Sequence, residues 1–106
     1  MSRHLFDTTL EANPIRVIVG YDRPTDQFYL CIGWIDQAGN VLAYASDLKL
    51  AYDPKDVRSI RRFLTNLGIT VPESMWTEVV YDSMAKIGGR VVRHLSDGTT
   101  CELIPG

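Results

Sequence analysis

Two successive stretches in which bulky apolar residues recur at every second position constrain this chain most. Ile15, Val17, Val19 and Tyr21 alternate with Arg16, Ile18 and Gly20, and Phe28, Leu30, Ile32 and Trp34 alternate with Tyr29, Cys31, Gly33 and Ile35. A period of two puts each set on one face of an extended strand. The β-branched and aromatic content suits a pleated, half-buried surface. Between the stretches, Asp22-Arg23-Pro24-Thr25-Asp26 is turn chemistry, because Pro presets a turn dihedral and Asp bonds its own backbone. After a second turn at Asp36–Asn40, Val41 to Ser46 reads as a third strand, so the three form an antiparallel meander. Leu48, Leu50 and Tyr52 continue the alternation. A sheet with so apolar a face needs a second layer to cover it.

Two helices supply that layer. Asp53 is expected to cap the first, with Pro54 at its first position. Val57, Ile60, Leu64 and Leu67 make its apolar stripe. Gly68 ends it, with Ile69 folding back on Leu64. Thr70 and Glu73 have capping-box spacing for the second helix, and Pro72 falls in its first turn. Its stripe is read as Trp76, Val79, Val80, Met84 and Ile87, with Gly88-Gly89 as the stop. The chain ends in a hairpin at Asp97-Gly98. A two-residue loop there sets Arg93 against Glu102, Val92 against Leu103 and His94 against Cys101. Residues 1–13 show weak periodicity and are read as a flexible arm or a short turn of helix. The expectation is one α+β domain over residues 1–106, in the order β-β-β-α-α-β-β, with an antiparallel sheet packed against a two-helix hairpin.

Charge and composition narrow the function classes. The formal charge is −2 with a pI near 5.6, which argues against a dedicated nucleic-acid packer or a membrane-surface binder. No apolar run approaches the length of a membrane span and no leader precedes the first element, so a cytoplasmic protein without membrane contact is expected. Two cysteines, Cys31 and Cys101, make no disulfide framework, and with two histidines they lack the close spacing of a zinc site. No metal or cofactor is expected. Cys31, on the thinner face of its strand, reads as a buried inert thiol.

The charge is unevenly spread. Residues 1–53 hold four positive and seven negative side chains, and residues 54–106 hold seven and six. Lys55, Arg58, Arg61 and Arg62 cluster on the first helix, the three arginines on one face at steps of three and four. Such a ridge fits phosphate or an acidic protein surface, since Arg presents a planar fork to either. Tyr29 and Tyr44 lie on strand faces where a large, stiff ring favours protein contact. The pair His94 and Cys101 has the minimum for an activated thiolate, a base beside a thiol, although no third orienting group can be named. The carboxylates are each explained by a turn or a cap.

The segment Leu10-Glu11-Ala12-Asn13-Pro14, leading through Val19-Gly20-Tyr21-Asp22-Arg23-Pro24, resembles the opening of a family of small uncharacterised proteobacterial proteins. The likeness extends more loosely to the helical pair and to Arg90-Val91-Val92-Arg93-His94-Leu95. The resemblance implies one α+β domain in a bacterial, cytoplasmic setting linked to mobile elements, and it carries no activity or catalytic residue. The leading expectation is a small non-enzymatic protein-binding module that regulates or inhibits a partner, with self-association through a sheet edge as an accompaniment. Two alternatives stand beside it: a nucleic-acid-binding accessory protein using Arg58, Arg61 and Arg62, and a cysteine-dependent enzyme using Cys101 and His94.

Overall fold

The computed structural model describes residues 1–43 and 51–104. In chain order they form β1 (Ser2–Leu10), β2 (Asn13–Asp22), β3 (Gln27–Ile35), β4 (Val41–Ala43), α1 (Val57–Asn66), α2 (Glu73–Ala85), β5 (Val91–His94) and β6 (Thr100–Ile104). The strands make one sheet in the order β4-β3-β2-β1-β5-β6. The pair β1–β5 is parallel and the other neighbours are antiparallel. The α+β class expected from the sequence is present, with one strand more than expected and a mixed sheet.

The extra strand is the segment read as a flexible arm. β1 lies inside the sheet, hydrogen-bonded to β2 on one side and β5 on the other. It turns into β2 through Glu11 and Ala12, both at positive φ (51° and 67°). A two-residue hairpin loop needs left-handed backbone at both positions, and its usual signal is Asn-Gly or Asp-Gly. Glu-Ala gives no such signal, and Asn13 steadies the turn by donating from its side-chain amide to the Glu11 carbonyl.

Both helices cover one face of the sheet. The core joins Ile15, Val17, Val19, Tyr21, Leu30 and Ile32 from the strands to Ile60, Leu64, Ile69, Val71, Met75, Trp76 and Val79. These are the strand faces read as apolar from the alternation. At the end of α1, Gly68 takes φ +81° while Ile69 N–H donates to Leu64 and Gly68 N–H to Thr65. That is the glycine-terminated cap expected there.

The helix starts differ from the sequence reading. Asp56, not Asp53, caps α1, its carboxylate accepting from Arg58 N–H. The Thr70–Glu73 capping box is absent: Pro72 is the N-cap of α2, without a side-chain bond, and Glu73 turns to Arg61 instead. On α2 the buried residues are Met75, Trp76, Val79 and Asp82, while Met84 is 78% exposed.

The last hairpin shifts by one residue. Leu95 N–H donates to Thr99, Gly98 N–H donates to Leu95, and Gly98 takes φ +88°. This is a three-residue loop with glycine in the left-handed position, which Asp-Gly serves as well as a two-residue loop. The register becomes Val92↔Glu102, Arg93↔Cys101 and His94↔Thr100. Of the third strand, Val41–Ala43 is described; Tyr44 to Ser46 and the alternation at Leu48 and Leu50 lie outside the described residues.

Candidate functional site

Polar chemistry concentrates where β1, α2 and β5 meet. His4 on β1 sits opposite Val92 of β5, so its ring faces the helices along with that of His94 two residues further on. Both rings are buried, at 0% and 1% exposure, as is Asp82 on α2 at 0%. His94 Nε2 lies 2.9 Å from His4 Nδ1, and His4 Nε2 lies 2.6 Å from Asp82 Oδ2. At the other end, the Ser74 hydroxyl lies 2.9 Å from His94 Nδ1. Asp82 Oδ1 accepts from Arg90 Nη1 at 2.9 Å, and Arg90 also donates to Glu78 and Glu102. Among the described residues every buried side-chain nitrogen or oxygen has a partner.

The carboxylate fixes the direction of this chain. Asp82 accepts from Arg90 at one oxygen and from His4 at the other, so His4 donates from Nε2. A neutral His4 then accepts at Nδ1, and His94 must donate from Nε2. That leaves His94 Nδ1 as a bare lone pair, and Ser74 is the donor to it. Neutrality follows from burial. Burial lowers the His4 pKa against the opposing pull of Asp82, and burial followed by the neighbouring His4 pushes His94 down to about 4. For Arg90, burial works to lower the pKa, but Asp82, Glu78 and Glu102 outweigh it and the net shift is upward.

Pairing Cys101 with His94 is not what the fold does. His94 faces the helices opposite Thr100, whereas Cys101 pairs with Arg93 and is exposed on the other face. The one-residue change in register separates thiol and imidazole, and His94 spends its acceptor on Ser74. Cys31 is likewise exposed rather than buried.

The basic ridge is tied to its own neighbours. Lys55 Nζ donates to the Thr25 and Asp26 carbonyls, and Arg58 pairs with the cap Asp56 at 3.0 Å. Arg61 binds Glu73, and its guanidinium lies 5.8 Å from the Trp76 ring centre. Arg62 is exposed and has no ion pair among the described residues.

The face of the sheet away from the helices carries a second feature. The register aligns Tyr29, Gly20, Arg3, Val91 and Ile104 in one row, and Cys31, Ile18, Leu5, Arg93 and Cys101 in the next. A third row holds Gly33, Arg16 and Asp7. Among the described residues no helix packs on this face. Tyr29 lies across β2 because Gly20 has no side chain: a Cβ there would come within 2.4 Å of the phenol ring. Its hydroxyl donates to the Ser2 carbonyl at 2.7 Å, and burial pushes its pKa up to about 12. Asp7 and Arg16 pair at 2.7 Å, which leaves Arg3 and Arg93 exposed and without ion pairs among the described residues. Where β1 and β5 stop pairing, Phe6, Asp7, Arg93, His94, Leu95 and Ser96 line a cavity of about 200 Å³.

Among the described residues, no helix is long and apolar enough to cross a membrane, and no group of three or more His, Cys, Asp or Glu side chains is placed to hold a metal ion. Comparison with protein-family models, with curated proteins and with solved structures finds no match for this chain.

Proposed function

We propose that this protein is a protein-binding module whose contact surface is the helix-free face of the sheet, and that its partner presents an apolar surface carrying carboxylates. The observation that carries the reading is the two-row patch in which Arg3 and Arg93, exposed and without ion pairs among the described residues, stand among half-buried Ile18, Tyr29 and Val91 and exposed Ile104, over a buried Leu5. A sheet whose outer face were only solvated would alternate apolar-in and polar-out. Here Ile18 and Val91 are half-buried and Ile104 is 54% exposed on that face, and apolar side chains left part-open in this way mark an interaction site. Strands about 4.8 Å apart, three of them about 30 Å long, give a face of about 600 Å². That is three-quarters of the ~800 Å² that one partner buries in a standard interface, a size suited to a modest, reversible complex.

Charge selects among occupants. Arg3, Arg16 and Arg93 against Asp7 and Asp22 leave the face positive by one. A second copy packed face to face would set that charge against itself, whereas an acidic partner is attracted and oriented. Base stacking on single-stranded nucleic acid draws on several aromatic rings, and the described part of this face offers Tyr29. The ridge of Lys55, Arg58, Arg61 and Arg62 is less suited, since most of its charge is already answered within the chain.

The test uses a displayed library of apolar peptides, half acidic and half basic, followed by thiol protection. Cys31 and Cys101 lie at opposite ends of one row, so an acidic ligand on the patch slows iodoacetamide alkylation of both. Arg3→Glu with Arg93→Glu abolishes that binding, whereas Arg58→Glu with Arg62→Glu leaves it within twofold. Selection of basic peptides, loss of binding on reversing the helix charges, salt-sensitive binding of oligonucleotides to this face, or a dimer that protects the same thiols would overturn the reading.

A further inference from the structure

We propose that Ser74 is a nucleophile towards activated acyl esters, with His94 Nδ1 as the group that receives its proton. The inference is independent of the sheet face and rests on the one-way hydrogen-bond chain Ser74 → His94 → His4 → Asp82. Three requirements of a serine nucleophile are met by named groups. The hydroxyl lies 2.9 Å from a bare imidazole nitrogen. That imidazole is held in one tautomer by His4, and His4 by a carboxylate fully shielded from water. Ser74 is the second residue of α2, and it is half-buried while His94, His4 and Asp82 are wholly buried. The reactive end of the chain is therefore the end that meets solvent.

The surrounding backbone suits the charge that develops. Met75 N–H already donates to the Pro72 carbonyl at 3.0 Å, so what the start of α2 offers a developing charge is the positive end of its dipole. An oxyanion forming beside Ser74 meets that positive end. The imidazolium formed on His94 is balanced through His4 by the Asp82 charge.

The chemistry closes without any further reagent than water. The Ser74 oxygen bonds to the ester carbonyl carbon as its proton passes to His94 Nδ1, and the carbonyl π pair moves to oxygen. Collapse of that intermediate re-forms the carbonyl and breaks the bond to the leaving alkoxide, which takes the proton from His94. Water repeats the addition on the acyl-serine, giving the acid and restoring the Ser74 hydroxyl. Burial makes His94 a weak base, so only esters with good leaving groups, or phosphonyl fluorides that mimic them, react at a useful rate.

His4 and Asp82 act here as positioning residues, and their role is separable from packing. In Asp82→Asn the amide has one acceptor and one donor. With its oxygen kept on Arg90, its N–H₂ faces His4 Nε2, and both imidazoles must exchange tautomers. Ser74 then accepts from His94 instead of donating to it, while every group stays bonded.

The experiment treats the full chain with a fluorophosphonate at pH 7.5 and locates the adduct by peptide mass spectrometry. Expected are a single adduct at Ser74, none in Ser74→Ala, and at least tenfold slower labelling in Asp82→Asn. The nitrogen chemical shifts of His4 and His94 report the tautomer exchange in that variant. No adduct on the folded native chain, or labelling of Ser74 no faster than of Ser59 and Ser83, overturns the proposal. Equal labelling rates in native protein and folded Asp82→Asn overturn it also. Should Asp82→Asn fail to fold, Ser74→Ala and the comparison with Ser59 and Ser83 decide the question alone.

Discussion

Truncating Asp82 to alanine is the most informative single perturbation of the fold. The carboxylate is fully buried and accepts from His4 at 2.6 Å and from Arg90 at 2.9 Å. Without it, His4 keeps a buried N–H with no acceptor, a loss of about 1–3 kcal/mol. Arg90 retains Glu78 and Glu102, so its share is one charge-assisted bond, about 1.5–3 kcal/mol. Together these agree with the ~3–5 kcal/mol typical of breaking a buried ion pair. Against a total stability of about 5–15 kcal/mol for a domain of this size, that is a large fraction. With a urea m-value of about 2 kcal/mol/M, the midpoint should fall by roughly 2 M. Urea denaturation followed by far-UV circular dichroism at pH 7.5 measures it directly. A double-mutant cycle with His4→Ala should return a coupling of about 0.5–3 kcal/mol. A loss below about 1 kcal/mol at unchanged m-value would refute the reasoning, because it would mean that the network stands open to water.

Two further outcomes follow from the same structure. His94 titrates at about 4 when folded against an ordinary value of 6.5, and His4 is shifted the same way. The unfolded chain thus binds protons first, so stability is full above pH 6.5 and falls as pH drops towards 4, by about 3 kcal/mol from His94 alone. Thermal midpoints measured from pH 7 to pH 4 check it, and a flat profile across that window contradicts a buried neutral pair. Gly20→Ala would set a methyl 2.2 Å from the Ser2 carbonyl and 2.4 Å from the Tyr29 ring. It should cost about 1–3 kcal/mol and displace the Tyr29 ring, read as a change in tyrosine fluorescence with the denaturation midpoint.

The parts of the fold legible in the sequence are those in which one local rule acts alone. The alternation at residues 15–21 and 27–35 named the core face correctly because apolar residues occupied every second position without interruption. Gly68 and Ile69 announced the end of α1 because a left-handed residue is needed there and glycine adopts it freely. β1 was hidden for the opposite reason. Its helix-facing positions run Ser2, His4 and Phe6, so two polar groups stand where apolar ones would have given the period. Their burial is satisfied by partners far along the chain, Tyr21 N–H for Ser2, and Asp82 and His94 for His4.

The candidate site was hidden in the same way. For His94 the sequence points to the wrong neighbour, since an Asp-Gly turn serves loops of two or three residues and one residue of slip exchanges the faces. Ser74 and Arg90 gave no local signal. Asp82 gave a faint one: it falls seven residues after Met75 and three after Val79, on the stripe of α2 that ought to be apolar. A carboxylate on a buried helix face requires partners.

By itself, the sequence determined the α+β class, the apolar sheet face with its helical cover and the terminal hairpin. Each follows from residues within about ten positions of one another, where period, turn chemistry and capping act directly. Only the tertiary structure decided that β1 pairs with β5, that the last hairpin slips by one residue, and that His4, Ser74, Asp82, Arg90 and His94 form one chain. Those contacts join residues up to 90 positions apart. What selects them is the cost of leaving a buried polar group without a partner, and that cost can be reckoned only once the chain has brought the groups together.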